Sequence, residues 1–493
     1  MASIKIDLDR RLGTVDRRIF GGFIEHLGRC IYGGIFEEGS ALSDAQGFRT
    51  DVLAAARGLQ IPVLRWPGGN FVSGYHWLDG VGPVDQRPRR LDLAWHAEES
   101  NRFGTDEFMQ YCRMLGAEPY LCVNMGTGTQ DEAQAWVEYC NGTGNTHYAN
   151  LRRANGHPEP YNVRYWGLGN EMYGAWQIGR LSAEDYVKKA IEFAKVLHWT
   201  DPSIALVGCG ENGWSDWDRV VLEGLASHIA FHSIHLYTGS DDYYRNVLAP
   251  HQAERALELC RALIDRVRFT QRLQHDIHIA YDEWNVWFQS RRQQPALEQR
   301  YTLADALAVA TYLNIFIRQC RTVRLANLAQ MVNVIAPVFT SPAGLFLQTI
   351  YHPLRLYAEE TQEIALDPHV ESDRYEFPAD VTTAPNPPQV ADRAPFLLLD
   401  VAATCDVAGH ALTLSVVNRA ADQAISTVID LTGAVAEPGG IVREVNGRDP
   451  DVMNSFEQPN AVRVQEQRLD LGGAAFEYTF PAHSITVVRL RLG

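Results

Sequence analysis

Tyr165-Trp166-Gly167-Leu168-Gly169-Asn170-Glu171-Met172-Tyr173-Gly174 leads from an apolar run into an aromatic-rich loop. A second stretch, Ala280-Tyr281-Asp282-Glu283-Trp284-Asn285-Val286-Trp287, follows another apolar run in the same way. Each stretch places a glutamate where a predicted buried strand ends, although the strand itself would be stabilised by a bulky apolar residue there. Glu171 and Glu283 are therefore candidate functional residues, and they form a pair.

Paired carboxylates are typical of glycoside hydrolysis, in which one carboxyl group protonates the departing oxygen and the other meets the positive charge that develops on the sugar ring. Asn170 precedes Glu171 directly. A side-chain amide in that position can bind a sugar 2-hydroxyl as the charged state forms. The alternative, that each glutamate is a solvated loop residue balanced by an arginine, fits a single glutamate better than two in the same setting.

Eight apolar strand candidates alternate with helical patterns over about 340 residues. They lie at 19–24, 61–66, 119–123, 163–168, 204–207, 229–236, 277–281 and 323–328. Crossover helices force neighbouring strands to be parallel, so the pattern predicts an α/β fold, a (β/α)8 TIM barrel with long loops. A doubly wound open sheet is the alternative, but Phe20-Gly21-Gly22-Phe23 lacks the glycine spacing of a phosphate-binding turn.

Polar residues follow or end most of these strands, as expected where a barrel carries its functional loops. They include Glu25, Arg65, Asn70, Asn124, Asn170, Glu171, His235, Tyr237, Glu283 and Gln330. Strands four and seven lie well apart around such a rim, so their glutamates can face each other across a central pocket.

The last part of the chain has a different pattern. Near 412–416 and 488–492 apolar and polar residues alternate, which predicts an antiparallel β-sandwich of the jelly-roll-like kind. The alternating strand that begins at Ile4 precedes any helix and is predicted to join this sandwich. The predicted domains are 1–15 for that strand, 16–357 for the catalytic barrel and 358–493 for the sandwich.

Composition excludes several classes of protein. The 493 residues are 46% hydrophobic and 21% charged, and 44 basic against 60 acidic side chains give a net charge of -16, so no nucleic-acid partner is expected. The start is charged and lacks a signal-peptide core, and the apolar run 303–318 contains Asp305 and Asn314. We therefore expect a cytoplasmic protein without a membrane span, whose eight cysteines are reduced core residues.

Together these motifs resemble glycoside hydrolase family 51, the bacterial alpha-L-arabinofuranosidases. The likeness also runs through Phe23-Ile24-Glu25-His26-Leu27-Gly28-Arg29, Arg65-Trp66-Pro67-Gly68-Gly69-Asn70-Phe71 and Arg89-Arg90-Leu91-Asp92-Leu93-Ala94-Trp95. It implies that Glu171 is the acid/base and Glu283 the nucleophile, with carboxyl groups ~5–5.5 Å apart as in retaining enzymes. It also implies a hydrogen bond from Tyr237 to the nucleophile.

The resemblance implies a pocket for one sugar. Its predicted substrate-binding residues are Glu25, Asn70, Trp95, Asn170, Tyr237, Trp287 and Gln348, with Arg65 and His235 in support. Arg65 has a second interpretation of nearly equal weight, a structural ion pair in the barrel mouth. Trp66, Trp176 and Trp284 are open to interpretation as core aromatics. His232 and His235 face opposite sides of a strand, so no metal is assigned, and no cofactor is expected.

The predicted function is an exo-acting, retaining alpha-L-arabinofuranosidase that trims arabino- and arabinoxylo-oligosaccharides, in a homo-oligomer that the resemblance makes a hexamer. The alternatives are a retaining glycosidase for galactofuranosides, beta-glucan or xylan, and a sugar-binding protein without turnover. Familiar members read Asn-Glu-Met-Asp-Gly-Pro-Trp where this chain has Asn170-Glu171-Met172-Tyr173-Gly174-Ala175-Trp176, and the loop 211–217 also differs. Both departures lie toward the leaving group and bear on linkage preference.

Overall fold

The computed structural model describes residues 2–288, 297–377, 390 and 392–493. Within these ranges eight parallel strands form a closed barrel, in which each strand pairs with its neighbour in the chain and the eighth pairs with the first. In order, the first to the eighth barrel strands are Gly21–Phe23, Val63–Trp66, Glu118–Cys122, Tyr165–Leu168, Ala205–Gly208, Phe231–Thr238, His278–Val286 and Val323–Ala329. The predicted barrel is confirmed, and the open sheet is wrong.

Helices surround the barrel and bury their apolar sides against it. They span Thr50–Gly58, Thr105–Leu115, Gln130–Asn141, His147–Ala154, Ala183–Thr200, Asp216–Leu225, Tyr243–Leu248, His251–Gln271, Leu303–Arg318 and Tyr351–Glu360. Ser182 caps the helix Ala183–Thr200 by accepting a hydrogen bond from the Asp185 main-chain N–H. Its side chains Tyr186, Phe193 and Leu197 are buried, and each large apolar side chain buried in this way contributes about 1.5–3 kcal/mol.

The sixth and seventh barrel strands extend beyond the predicted ends at 236 and 281. They pair with each other through Thr238 and Val286, so His235, Tyr237 and Glu283 lie within strands and not after them. The seventh strand carries one extra residue between Ala280 and Trp284, because its register shifts there against both neighbouring strands. Such a bulge redirects side chains, and here it brings both Asp282 and Glu283 to the barrel interior.

The sandwich consists of a four-stranded and a seven-stranded sheet. The first contains His369–Glu371, Ala2–Asp7, Ile425–Thr432 and Ala475–Phe480, and the second Arg11–Thr14, Ile364–Leu366, Leu399–Cys405, Ala411–Asn418, Ser484–Arg491, Gly440–Asn446 and Arg463–Leu469. Ala2–Asp7 joins it as predicted, but its pairing with Ile425–Thr432 is parallel. The sandwich is therefore not purely antiparallel. The domain boundaries after 15 and 357 stay a prediction.

Three two-stranded ribbons complete the strands of the described ranges. They pair Arg90–Leu91 with Glu98–Glu99, Val338–Ser341 with Gly344–Leu347, and Arg374–Tyr375 with Phe396–Leu397. The apolar helix Leu303–Arg318 is buried between the barrel and the sandwich, next to the strand Leu399–Cys405. None of the helices in the described ranges has the length and apolarity needed to cross a bilayer. All eight cysteines are buried and unbridged, as predicted.

Candidate active site

The two predicted glutamates meet at the carboxyl end of the barrel. One oxygen of Glu171, one ring nitrogen of His235 and one oxygen of Glu283 lie within 4.8 Å of one another. Glu171 follows the fourth strand, while His235 and Glu283 come from the sixth and seventh. Barrel closure therefore brings together Glu171 and Glu283, which are more than a hundred positions apart in sequence.

Glu283 is held by two donors from different strands. The Arg65 Nη1 atom donates to Oε1 at 2.7 Å, and the Tyr237 hydroxyl donates to Oε2 at 2.8 Å. Glu283 is only 5% exposed, and a buried carboxylate needs such charge-assisted bonds to remain ionised. The two donors bind different oxygens and so fix the orientation of the Glu283 carboxyl group, as a nucleophile in this position requires.

Arg65 also fixes Asn170. Its Nη2 atom donates to Asn170 Oδ1 at 2.6 Å, and because a guanidinium group can only donate, this contact sets the orientation of the amide. Asn170 Nδ2 is then buried, and no acceptor for it exists among the described residues. Arg65 thus satisfies both interpretations made from sequence: it is a buried ion-pair partner, and it orients Glu283.

Glu171 lies on strained backbone, with a φ of 43°. The Trp176 indole N–H donates to Oε2 at 2.6 Å, His235 Nδ1 lies 3.1 Å from Oε1, and the Tyr173 hydroxyl donates to Oε1 at 3.3 Å. Trp176 is 61% exposed, so its interpretation as a core aromatic is wrong, whereas Trp66 and Trp284 are core residues. Trp176 and Tyr173 were not predicted as site residues.

The protonation of Glu171 depends on these partners. Burial raises the pKa of its carboxyl group, but the charge of His235 and the hydrogen bonds from His235, Trp176 and Tyr173 together lower the pKa overall. His235 has the opposite shift: burial lowers its pKa, while Glu283, Asp282 and Glu171 raise it to about 10. His235 is therefore protonated at neutral pH, and its Nδ1–H proton lies next to the Glu171 carboxylate.

Asp282 is a member of the site that the sequence analysis quoted but did not assign. It accepts hydrogen bonds from Tyr120, at 2.7 Å, and from Ser233, and its Oδ1 lies 3.4 Å from His235 Nε2. Burial opposes ionisation, but the charges of Arg65 and His235 and the hydrogen bonds from His235 and Ser233 together hold the pKa of Asp282 well below its usual range. Its position beside Glu283 was the available signal, but consecutive residues on a strand usually face opposite sides.

Glu25 provides a third buried carboxyl group. Its Oε1 accepts from the Phe71 main-chain N–H at 3.1 Å and from Trp95 Nε1 at 3.0 Å, and Gln330 Nε2 donates to Oε2 at 2.9 Å. Burial raises the pKa of Glu25 to about 8, and the charge of Glu283 adds to this rise. A Cβ atom at Gly69 would lie 2.7 Å from Oε2, so a side chain at this position would displace the Glu25 carboxyl group.

The remaining predicted residues are less directly connected. Asn70 begins a short 3-10 helix beside Glu25, and the Trp287 ring packs edge-on against Tyr237 at 5.4 Å. Both amide hydrogens of Gln348 bind main-chain carbonyls, at Gln299 and Ala336, and its Oε1 accepts from the Tyr301 N–H. Gln348 can therefore meet a sugar only through the second lone pair of Oε1.

The loop 211–217 holds the main chain of His235 through a hydrogen bond. Asp218 accepts hydrogen bonds from the main-chain N–H groups of Glu211, Gly213 and Ser215, and also binds His232 at 2.8 Å. The Glu211 carbonyl in turn accepts from the His235 main-chain N–H at 2.8 Å. The loop thus fixes the backbone of a residue that contacts Glu171.

The spacing of Glu171, His235 and Glu283 would also admit a cation. However, Arg65 already provides a positive charge at Glu283, and protonated His235 provides one between the two carboxylates. A metal ion would have to displace both. The arrangement is better suited to a pair of carboxyl groups, of which one transfers a proton and the other attacks a sugar carbon.

Known families match both parts of the chain. The family model described as Alpha-L-arabinofuranosidase 1 domain matches residues 55–255, and that described as Alpha-L-arabinofuranosidase C-terminal domain matches residues 282–484. A protein named probable alpha-L-arabinofuranosidase C, from Aspergillus clavatus, is 45% identical over 99% of this chain and 97% of its own length.

Bacterial proteins match as well. An intracellular exo-alpha-(1->5)-L-arabinofuranosidase from Halalkalibacterium halodurans is 41% identical over 76% of this chain and 79% of its own length. The structure of a thermostable GH51 alpha-L-arabinofuranosidase from Thermotoga petrophila superimposes with a TM-score of 0.92 at 42% identity, covering 99% of this chain and 100% of that one. Because fungal and bacterial proteins both match, the expectation of a specifically bacterial protein is not confirmed.

Proposed function

This chain belongs to glycoside hydrolase family 51, the alpha-L-arabinofuranosidases, and from that premise we propose that Glu171 and Glu283 carry out a retaining double displacement. The chain is a glycoside hydrolase that acts on an arabinose-containing carbohydrate. It releases terminal arabinofuranose from arabino- and arabinoxylo-oligosaccharides.

In the first step the Glu283 carboxylate attacks the anomeric carbon while Glu171 gives a proton to the leaving oxygen. The bond between that carbon and oxygen breaks, and a glycosyl ester of Glu283 forms. In the second step Glu171 takes a proton from water, the water oxygen binds the anomeric carbon, and the ester bond breaks. Two inversions give net retention of configuration.

Glu171 needs a proton at the start, although the charge and hydrogen bond of His235 lower its pKa. The proton on His235 Nδ1 lies 3.1 Å from Glu171 Oε1, so the pair holds a proton at neutral pH whichever atom carries it. A leaving group that displaces the Trp176 N–H from Oε2 would remove a donor that stabilises the carboxylate. The proton would then move toward Glu171, where the reaction uses it.

The sugar is held by groups around this pair. We assign the unpaired Asn170 Nδ2 to the 2-hydroxyl and a protonated Glu25 to another hydroxyl, with Asn70 and Gln348 as further polar contacts. Trp95 and Trp287 form the walls, and Tyr237 contacts both Glu283 and the sugar. Arg65 and His235 support the two glutamates and do not bind the sugar.

The observation that carries this proposal is the approach of Glu171 and Glu283 to within 4.8 Å, which leaves no room for a water molecule between a sugar and the nucleophile. Proton NMR of the arabinose first released from an aryl alpha-L-arabinofuranoside tests it. The α anomer is expected. The β anomer would contradict the mechanism, and activity only on aryl galactofuranoside or carboxymethylcellulose would contradict the substrate class.

We also propose that the enzyme is cytoplasmic and forms a homo-oligomer, a hexamer by family likeness. The bacterial relative named intracellular supports the first proposal. Light scattering of the purified protein tests the second, with an expected mass of six times 55.3 kDa. A monomeric mass would contradict it.

A further inference from the structure

A groove lies beside Tyr173, the residue whose hydroxyl donates to Glu171. It has a volume of about 370 Å³ and is lined mainly by Tyr173, Arg180, Leu181, Trp217, Arg219 and Val220, a volume within the range of ligand sites, about 300–1,000 Å³. The first turns of the helices Ala183–Thr200 and Asp216–Leu225 form its sides. The groove has no assigned role in the reaction described above.

Tyr173 connects the groove to the acid/base. Its hydroxyl donates to Glu171 Oε1 at 3.3 Å, and its ring packs edge-on against Trp217 at 5.6 Å. On the other side it meets Trp176 at 6.1 Å with perpendicular rings. The aromatic surface from Trp176 through Tyr173 to Trp217 is thus continuous from the Glu171 carboxyl group into the groove.

The position of the leaving group relates these aromatic rings to the reaction. The acid/base protonates the leaving oxygen, so the leaving group departs on the Glu171 side. The exposed Trp176 indole donates to Glu171 Oε2, whereas His235 and Tyr173 contact the other carboxyl oxygen, Oε1. A sugar attached to the leaving oxygen therefore comes to lie against these aromatic rings.

The lining of the groove suits a neutral sugar chain. Tyr173, Leu181 and Val220 offer an apolar surface for the C–H faces of sugar rings. Arg180 and Arg219 offer donors for hydroxyl groups, while Glu184 and Asp216 offer acceptors at the same edge. Arg219 is paired with Asp216 at 3.4 Å, so an anionic ligand would have to compete with an existing carboxylate.

We propose that this groove binds the leaving group's sugar chain beyond the cleaved bond, and that it selects uncharged pentose oligosaccharides over short leaving groups. The inference rests on the proposed function and adds a length preference to it.

The test compares chain-length series in the full-length enzyme. For alpha-1,5-linked arabino-oligosaccharides we expect kcat/KM to rise about tenfold from the disaccharide to the tetrasaccharide, equivalent to about 1.4 kcal/mol. Val220→Trp fills the groove without contacting Glu171, so the rise should disappear. Val407→Trp makes the same change at an exposed turn of the sandwich and should keep the parent's rise.

A second series uses arabinosylated xylo-oligosaccharides of increasing backbone length and identifies which sugar chain the groove binds. The groove binds the type of sugar chain for which Val220→Trp abolishes the rise in kcat/KM with length. Each kcat/KM value is divided by the value that the same variant gives with an aryl arabinofuranoside. A smaller folded fraction lowers both values equally and therefore does not change the ratio. Arg219→Ala, which removes an exposed side chain, should reduce the rise about threefold, equivalent to about 0.65 kcal/mol.

Two outcomes overturn the inference: a parent enzyme without length dependence in either series, or a rise that both groove variants keep. Neither outcome touches the proposed function, because the aryl substrate would still be hydrolysed with retention. An enzyme that hydrolyses no arabinofuranoside at all would instead overturn the proposed function.

Discussion

Glu283 and Asp400 are equally buried, each 5% exposed, and each faces a buried arginine, yet their surroundings differ. Asp400 joins the sandwich to the barrel: it accepts from Asn314 at 2.8 Å and from Arg318 at 3.1 and 3.3 Å, with Arg419 at 3.6 Å. Around Glu283, by contrast, Asn170 Nδ2 has no acceptor within the described residues, and Glu25 has a raised pKa.

The difference separates two uses of buried charge. At Asp400 both carboxylate oxygens accept hydrogen bonds from protein groups, so the cluster stabilises the junction between the barrel and the sandwich. At Glu283 some bonding capacity is left for a ligand, which costs folding free energy and makes binding possible. Substitutions in the Glu283 region should therefore change activity more than stability, and those in the Asp400 region should do the reverse.

The largest effect is expected from Glu283→Ala. Loss of the nucleophile should lower kcat by at least about 10⁴-fold, as for other covalent catalysts, with little change in melting temperature. Added azide should restore turnover of an aryl arabinofuranoside and give the inverted glycosyl azide, because the anion enters from the vacated face. Kinetics with product NMR measure both.

Glu171→Ala is the matched variant. Azide should then attack the glycosyl ester and give the retained product, since Glu283 has already inverted the carbon once. The same azide stereochemistry from both variants would refute the assignment of roles.

Asp400→Ala should give the second largest effect. It leaves Arg318 and Arg419 without their shared carboxylate, which costs about 3–5 kcal/mol of unfolding free energy, while activity per folded molecule is retained. Denaturant titration measures the loss, and Asp422→Ala, at an exposed turn, is the control.

The pH dependence of this stability has a definite sign. Burial raises the pKa of Asp400, but the charges of Arg318, Arg419 and His251 together outweigh burial and lower the pKa in the folded state. Its contribution is therefore complete above the unfolded pKa, about 3.9, and is lost as the pH falls through the lower folded value. A parent and an Asp400→Ala variant with equal stability at pH 7 would contradict this account.

Tyr237→Phe should have an intermediate effect. It removes the 2.8 Å hydrogen bond to Glu283 Oε2, and bonds to charged groups contribute about 1.5–3 kcal/mol, so kcat/KM should fall by about 10- to 150-fold. Tyr357→Phe removes a bond of the same length, to Asn314 beside Asp400, and should lower stability by about 1 kcal/mol while activity is retained. Equal losses of activity in the two variants would remove the distinction between the regions.

Glu25→Gln should have the smallest effect, on the pH profile. Burial raises the pKa of Glu25 to about 8, so the group is neutral below that pH and gains a charge near Glu283 above it. In the parent kcat/KM should fall as the pH rises through about 8. The glutamine stays neutral, so this limb should flatten; an unchanged limb would show that Glu25 does not titrate there.

Much of the site could be predicted because it follows barrel strands. The apolar runs before Glu171 and Glu283 repeat a local pattern, and parallel closure places strand ends on one face. Glu171, Glu283, Arg65, Asn170 and Tyr237 do lie in one network. Trp176 was misjudged because tryptophan is usually buried. Asp282 was left unassigned because local sequence gives no sign that two consecutive strand residues face the same side.

The sequence by itself determined the barrel, the position of the buried strands and the acidic pair, because strand and helix periodicity depends on residues a few positions apart. Only the tertiary structure decided that Asp282 and Glu283 both face inward, that His235 lies between two carboxylates and that Trp176 binds Glu171. These depend on a one-residue bulge and a left-handed loop residue, whose cost is balanced by contacts from distant strands and has no signature in local sequence.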